Sequence, residues 1–323
     1  MMIGRVLDGG NEKWVGFIGG GAYAPGAAES GKGFFVVDLR DGSVLWGYTK
    51  ANNANLDSPM PAPPAIVDTD NDGFVDTAYL GDLGSNMWRF KFCKKADGDS
   101  CTTSSWTGSR FFESTASSGI RPIYTAAAVA KDSAGNFWVY WGTGDKMDPT
   151  AANAQEKICA LKDTDWTSTL TIADMQNISD AGGVYNDSGA YGYYINLAGQ
   201  GEKVLADLAV FGGVLYVTFT PQSTTDPCYQ GGTAKLYGMN FATGAGALVI
   251  PDSTATPPRS IDIGTGIPSA PIISLRPTTG VADLYVTTSG SGSIGAQTQR
   301  AGINPPGLAN RTNLLFWRDR RVE

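Results

Sequence analysis

Nine residues, Asp68-Thr-Asp-Asn-Asp-Gly-Phe-Val-Asp76, place carboxylates at positions 1, 3, 5 and 9 of a run whose sixth residue is glycine. Hard divalent cations take several oxygen ligands around one point, and Ca²⁺ accepts six to eight at about 2.3–2.6 Å. Alternate residues of a tightly curled loop turn inward, so this spacing delivers Asp68, Asp70 and Asp72 to one centre. Gly73 permits the sharp turn, the Phe74 carbonyl fills position 7, and Asp76 supplies the ninth-position ligand. An Asp/Asn/Gly cluster also makes a plain polar turn. Such a turn needs no charge, whereas carboxylates ~5 Å apart repel by roughly 0.8 kcal/mol per pair even at the dielectric of water. The predicted cofactor is Ca²⁺, held by Asp68, Asp70, Asp72, Phe74 and Asp76.

Position 12, where a helix–loop–helix calcium site has a bidentate Glu, is Tyr79. The flanks, Pro64-Ala-Ile-Val and Thr77-Ala-Tyr-Leu, read as strands. The loop is therefore expected to join the first two strands of one sheet, with the ion pinning a hairpin. Known loop sites span about 10⁻⁷ to 10⁻³ M, and the missing twelfth-position Glu favours the weaker half.

The chain has 323 residues, 42% of them hydrophobic, and carries a net charge of −7. That charge disfavours nucleic acid and anionic membrane surfaces as partners. The locally basic Arg318-Asp-Arg-Arg321 reads as a solvated end. Histidine is absent, which removes imidazole zinc sites, Ser-His-Asp triads and Cys-x-x-Cys-His haem attachment. Cys93 and Cys101 bracket a polar loop. Joining them closes a ring whose loop entropy is worth roughly 2.5 kcal/mol and implies an oxidising compartment; two reduced thiols are the alternative. For Cys159 and Cys228 the spacing leaves pairing open. No apolar run reaches the length of a membrane-spanning helix, and the start lacks the apolar stretch of a signal peptide. The expectation is a fragment, a processed product or a start site within a longer protein.

Short β-rich runs recur in groups separated by Gly/Asp turns. The first group is Ile3–Leu7, Trp14–Gly19, Gly33–Leu39 and Val44–Tyr48. The second is Ala65–Asp68, Thr77–Asp82, Asn86–Phe92 and Ser109–Phe112. A third runs from Tyr124 through Phe137–Gly144 to Lys157–Lys162. A fourth runs through Leu208–Phe211, Val214–Thr220 and Ala234–Met239 to Ala247–Ile250, and a fifth through Ala270–Ser274 and Ala282–Thr287 to Asn313–Trp317. Units of this size are the signature of β-propeller blades, with a β-sandwich as the alternative. The predicted fold is all-β: one β-propeller domain over residues 1–323, of four-stranded antiparallel blades, about five in number. Asp163–Gly201 reads as a long insertion and Thr288–Asn310 as a flexible loop.

The segment Ala65–Phe90 resembles the C-terminal propeller of PilY-type proteins, the tip-associated adhesins and assembly factors of bacterial type IV pili. That family carries Asp-x-Asp-x-Asp-Gly-x-x-Asp followed by Tyr-x-Gly-Asp-Leu-x-Gly-Asn-x-Trp-Arg-Phe, and this chain departs only at Ser85, where the family has Gly. Gly33-Phe-Phe-Val-Val-Asp-Leu39, Trp141-Gly-Thr-Gly144 and Cys228-Tyr-Gln-Gly-Gly-Thr-Ala-Lys-Leu-Tyr237 extend the likeness to about residue 250. The resemblance implies a non-enzymatic, calcium-binding propeller that supports pilus assembly, the balance of extension and retraction, and surface adhesion. By the motif match, its metal ligands are Asp68, Asp70, Asp72, Asp76 and the Phe74 carbonyl. Implied partners are the pilin subunits, a host or abiotic surface, and an upstream or separate PilY-like segment completing the ring. The implied location is extracellular, at the pilus tip or cell surface, reached through the periplasm. The family's large N-terminal region, often with a von Willebrand A-like domain, lies outside the stretch that carries the resemblance.

Other classes remain in view. Asp38-Leu-Arg-Asp-Gly-Ser-Val-Leu-Trp46 resembles the blade ends of quinone-dependent dehydrogenases, but the contiguous calcium loop and the lack of adjacent cysteines argue against that chemistry. Tyr185–Tyr194 offers aromatic faces to a sugar, as in a calcium-dependent lectin; packing within the insertion explains the same tyrosines. Gly19–Gly26 superficially resembles a phosphate loop, yet no helix pattern follows it. Asp145 and Asp148 fit a hairpin turn as well as a second cation. Paired carboxylates for glycoside hydrolysis depend on spatial separation, which spacing does not give.

Overall fold

Successive side chains of a strand point to opposite faces, so a strand that is apolar throughout can serve two cores at once. Several strands here have that character: Thr77–Gly81 and Val214–Phe219 are buried along their whole length. The computed structural model describes residues 1–23, 29–114, 121–148, 155–180, 182–199, 201–219, 233–248, 256–275, 282–289 and 297–303. Its strands form five sheets. Sheet 1 is the antiparallel meander β1 (Met2–Asp8), β2 (Asn11–Gly19), β3 (Gly33–Asp38) and β4 (Val44–Thr49). Sheet 2 repeats it with β5 (Ala65–Val67), β6 (Thr77–Gly81), β7 (Met87–Lys91) and β8 (Thr107–Glu113). Sheet 3 begins with β9 (Ala128–Lys131), β10 (Phe137–Gly142) and β11 (Lys157–Asp163).

The next stretch differs from the irregular insertion expected over residues 163–201. It forms β12 (Leu170–Thr171), which pairs parallel to β8 of sheet 2, and then β13 (Gln176–Asn177) and β14 (Gly192–Asn196), which complete sheet 3. The stretch is a strap that adds an edge strand to each of two sheets. Two of its tyrosines, Tyr185 and Tyr193, are core residues, whereas Tyr194 is half-buried and Tyr191 is exposed.

Sheet 4 is β15 (Ala209–Phe211), β16 (Val214–Phe219), β17 (Thr233–Asn240) and β18 (Ser260–Thr265). Its outer strand is therefore Ser260–Thr265, in place of the expected 247–250. Ala247 and Leu248 lie outside any strand, and Leu248 fills the room left by Gly238, where a Cβ would stand 2.4 Å from its Cδ2. Residues 249 and 250 lie outside the described residues. Sheet 5 is β19 (Ile272–Leu275), β20 (Ala282–Thr288) and β21 (Gln297–Ile303). Part of the expected flexible loop 288–310 is thus strand, and 313–317 lies outside the described residues.

Residue parity decides which neighbour each side chain meets. Ala78 and Leu80 of β6 join Phe17, Phe34 and Val36 of sheet 1, whereas Tyr79 between them joins Val139 and Trp141 of sheet 3. Trp138 and Tyr140 face the other way, toward Leu215 and Val217 of sheet 4. Val214 and Tyr216 then share a core with Leu284 and Val286 of sheet 5. Each hydrophobic cluster lies between consecutive sheets, and the first strands β1, β5, β9 and β15 touch one after another. Sheets stacked in chain order around shared first strands are the blades of a propeller.

Between sheets 2 and 3 a buried ion pair adds to the apolar contact. Arg89 donates through Nη1 to Asp163 Oδ1 at 2.7 Å and through Nη2 to the Trp166 carbonyl at 2.7 Å, while Tyr79 donates to Asp163 Oδ2 at 2.6 Å. Removing one partner of such a pair leaves an uncompensated buried charge. Asp163→Ala should therefore lower unfolding stability by about 3–5 kcal/mol, measured as a shift in the urea midpoint; a shift below about 1 kcal/mol would place the pair among solvent-screened surface bridges.

Candidate metal centre

The 68–76 loop joins β5 to β6, as its flanking strand patterns require. Two residues hold positive φ and curl it, Asn71 at 61° and Gly73 at 93°. Asn and Gly are the residues that adopt this region most readily. The curl aims backbone N–H groups at Asp68: Gly73 N donates to Oδ2 at 2.8 Å and Asp72 N to Oδ1 at 3.1 Å. Asp76 is buried and accepts at Oδ2 from both the amide (2.9 Å) and the hydroxyl (2.7 Å) of Thr69.

Asp68, Asp70 and Asp76 come together, with one carboxylate oxygen of each lying within 4.8 Å of the others. Oxygens bound to one ion at 2.3–2.6 Å stand no more than about 5 Å apart, so this donor set fits a hard divalent cation. Asp72 stands apart from the three. Its Oδ1 accepts from Phe74 N at 2.8 Å and its Oδ2 from Lys95 N at 2.8 Å. Phe74 is half-buried in the loop, its ring beneath the Arg5 guanidinium at 5.1 Å. Tyr79 turns its hydroxyl to Asp163, away from the loop. Burial pushes the Asp68 carboxyl above its ordinary value, and the neighbouring Asp72 charge adds to this against the opposing backbone N–H bonds. A cation at the loop would favour the ionised form of this half-buried carboxyl.

Three basic side chains from three sheets also reach the loop, none of them indicated by spacing. Arg5 of β1 donates to the Gly73 carbonyl at 3.0 Å. Lys131 of β9 donates to the Thr69 carbonyl at 3.4 Å. Lys94, just after β7, donates to Thr69 Oγ1 at 2.8 Å and sits 3.8 Å from Asp76 Oδ2. Lys94 belongs to the segment closed by the Cys93–Cys101 disulfide. Cys159 is buried, its thiol pushed up to about 12 by burial, and Cys228 lies outside the described residues.

The second half of the motif builds a turn. Asp82 is buried and accepts from Asn86 N at 2.8 Å, from Asn86 Nδ2 and from Trp88 Nε1 at 2.8 Å. Asp132, Asn136 and Trp138 repeat the device between β9 and β10. Its fourth residue is Ser85 in one copy, at φ 69°, and Gly135 in the other, at φ 92°. That left-handed geometry favours glycine.

The remaining sequence candidates are structural. Asp38 Oδ1 accepts from Arg40 N and closes the β3–β4 turn, and Asn240 does the same for Ala242 N and Thr243 N after β17. Tyr185 is buried, with its hydroxyl on Asp187 and the Ala190 carbonyl. Asp145 Oδ1 caps the amides of Met147 and Asp148. A Cβ at Gly20 would stand 2.5 Å from the Gly31 carbonyl oxygen, so that glycine serves close packing, and residues 24–28 lie outside the described residues.

A family model described as the PilY1 beta-propeller domain matches residues 2–163. The chain belongs to the PilY1 propeller family. It is 23% identical over 290 residues to the type IV pilus biogenesis factor PilY1 of Pseudomonas aeruginosa strain PAO1, covering 72% of this chain and 24% of that protein. A PilY1 homolog of Xylella fastidiosa is 24% identical over 272 residues, covering 74% of this chain and 18% of that protein. The chain thus spans about a quarter or less of the curated relatives it matches. The crystal structure of the Pseudomonas aeruginosa PilY1 C-terminal domain superposes with a TM-score of 0.69 at 16% identity, covering 94% of this chain and 72% of that one.

Within this PilY1-type propeller the two turn aspartates differ in burial and so in ionisation. Burial raises Asp82 to about 6 against its hydrogen bonds. At Asp132 burial is weaker, and the bonds from Trp138 and Asn136 hold the carboxyl below its ordinary value. Because the folded chain binds the Asp82 proton more tightly than the unfolded chain does, this group's contribution to stability is full below about pH 4 and is lost as pH rises through about 6. Asp82→Asn should remove that downward component, making the slope of the denaturation midpoint between about pH 4 and 6 more positive than in the parent; an unchanged slope would show that Asp82 titrates as an ordinary carboxyl.

Proposed function

We propose that this chain is a non-enzymatic, calcium-binding propeller of a type IV pilus biogenesis protein. The observation that carries the reading is the convergence of Asp68, Asp70 and Asp76 in a hairpin loop of a PilY1-family sheet. The ion would hold the β5–β6 hairpin closed, with Asp68, Asp70 and Asp76 as side-chain ligands. The Phe74 carbonyl and Asp72 would be the further protein ligands, since a carboxylate oxygen that accepts an amide N–H keeps a lone pair for the ion. Calcium supplies charge neutralisation at this loop, and the chain's own residues set its geometry.

The relatives' name supports a role in pilus biogenesis, and pilin subunits are the partners this reading proposes. Control of pilus extension and retraction and adhesion to host or abiotic surfaces belong to the same reading, as does a place at the pilus tip or cell surface reached through the periplasm. The Cys93–Cys101 disulfide supports an oxidising compartment. Further PilY-like blades would complete the ring, and the solved domain extends beyond the stretch shared with this chain.

Calorimetric titration with Ca²⁺ tests the site. The parent chain should bind one ion with a Kd between about 10⁻⁷ and 10⁻³ M. Asp70→Ala and Asp76→Ala should abolish that heat while the far-ultraviolet dichroism of the sheets is retained. Unchanged affinity in both variants would refute the assignment. Co-purification with pilins from cells making the full-length protein tests the partner.

A further inference from the structure

The metal loop already has a cation beside it. Lys94 Nζ donates to Thr69 Oγ1 at 2.8 Å and lies 3.8 Å from Asp76 Oδ2, the oxygen that Thr69 holds with both its amide and its hydroxyl. Asp76 is 1% exposed, whereas the Lys94 side chain is 41% exposed, so the carboxylate is fixed and the ammonium can leave.

The backbone that carries Lys94 is fixed as well. Cys93 before it is bonded to Cys101, and the Trp106 indole N–H donates to Cys93 Sγ at 3.2 Å. The Lys94 amide donates to Asp97 Oδ2 at 2.8 Å, and the next amide, Lys95 N, donates to Asp72 Oδ2 at 2.8 Å. The ammonium is thus tethered to the loop it neutralises, at the high effective concentration that a short tether gives.

We propose that Lys94 is a built-in competitor of the cation: it neutralises Asp76 when the loop is empty and is displaced when the loop is loaded. This rests on the calcium reading above and adds what sets the affinity. The Lys95 amide, bonded to Asp72 Oδ2, keeps the segment that carries Lys94 against the loop. Loading the loop therefore frees the Lys94 ammonium from Asp76, while the Lys95 amide keeps its bond to Asp72. The empty loop is held closed by the protein's own charge, so metal release does not leave Asp76 buried without a counter-charge.

Calcium titration of the parent, Lys94→Met and Lys94→Arg tests the proposal. Each is followed by calorimetry and by the thermal midpoint with calcium and with chelator. Removing an ammonium 3.8 Å from a carboxylate that the ion must win from it should tighten binding about fivefold, even at the dielectric of water. Lys94→Met should also lower the chelator midpoint, so that its gain on adding calcium exceeds the parent's, while Lys94→Arg should behave like the parent. A calcium response that Lys94→Met leaves unchanged or weakens overturns the competitor role alone. No response in any of the three overturns the calcium reading and this inference with it. A response seen only in Lys94→Met supports the inference directly.

Discussion

Each interior sheet is shared between two cores, and the alternation of side chains along its strands assigns residues to one or the other. Tyr79 cannot change places with Leu80 without moving an aromatic ring from the sheet 2–3 core into the sheet 1–2 core. Register is therefore specified from both faces, and a slip by one residue would exchange the two sets completely. The aromatic contacts make this strict: Phe34 lies on Phe90 at a centroid distance of 4.1 Å and 10° between planes, a geometry with little tolerance. The 68–76 loop inherits its position from that constraint, because β5 and β6 fix both of its ends.

Much of this arrangement was legible in the chain itself. Apolar runs of five or six residues between Gly/Asp turns marked the central strands, and the loop's acidic spacing marked Asp68, Asp70 and Asp76. The strap over residues 163–201 was not legible. β12 and β13 are two residues each, too short for alternation to show, and β14 follows a run of Asn, Asp, Ser and Gly that reads as loop. Pro257 and Pro258 before β18 are a signal that a strand starts after them, but the nearer Ala247–Ile250 is the more apolar run.

The site shows the same division. Local rules predict an inward Asp72, yet its oxygens are taken by Phe74 N and by Lys95 N, the latter 23 residues away. Arg5 and Lys131 come from other sheets and carry no motif; only folding brings them to the loop. The paired turns at Asp82 and Asp132 add a caution of a different kind. An identical Asp-x-x-x-Asn-x-Trp pattern yields opposite shifts of the carboxyl because one copy is buried and the other half-exposed. The pattern specifies a shape, and the surroundings specify the chemistry.

Arg5 and Lys131 grip the loop through the main-chain carbonyls of Gly73 and Thr69. A carbonyl is present whatever side chain the position carries. These two links between sheets 1, 2 and 3 therefore use no carboxylate directly. A lineage that traded Asp68, Asp70 and Asp76 for asparagine, which still accepts the loop's amides, would weaken the ion's hold and keep the staple. The two roles can drift apart over evolutionary time without the architecture recording which of them was abandoned.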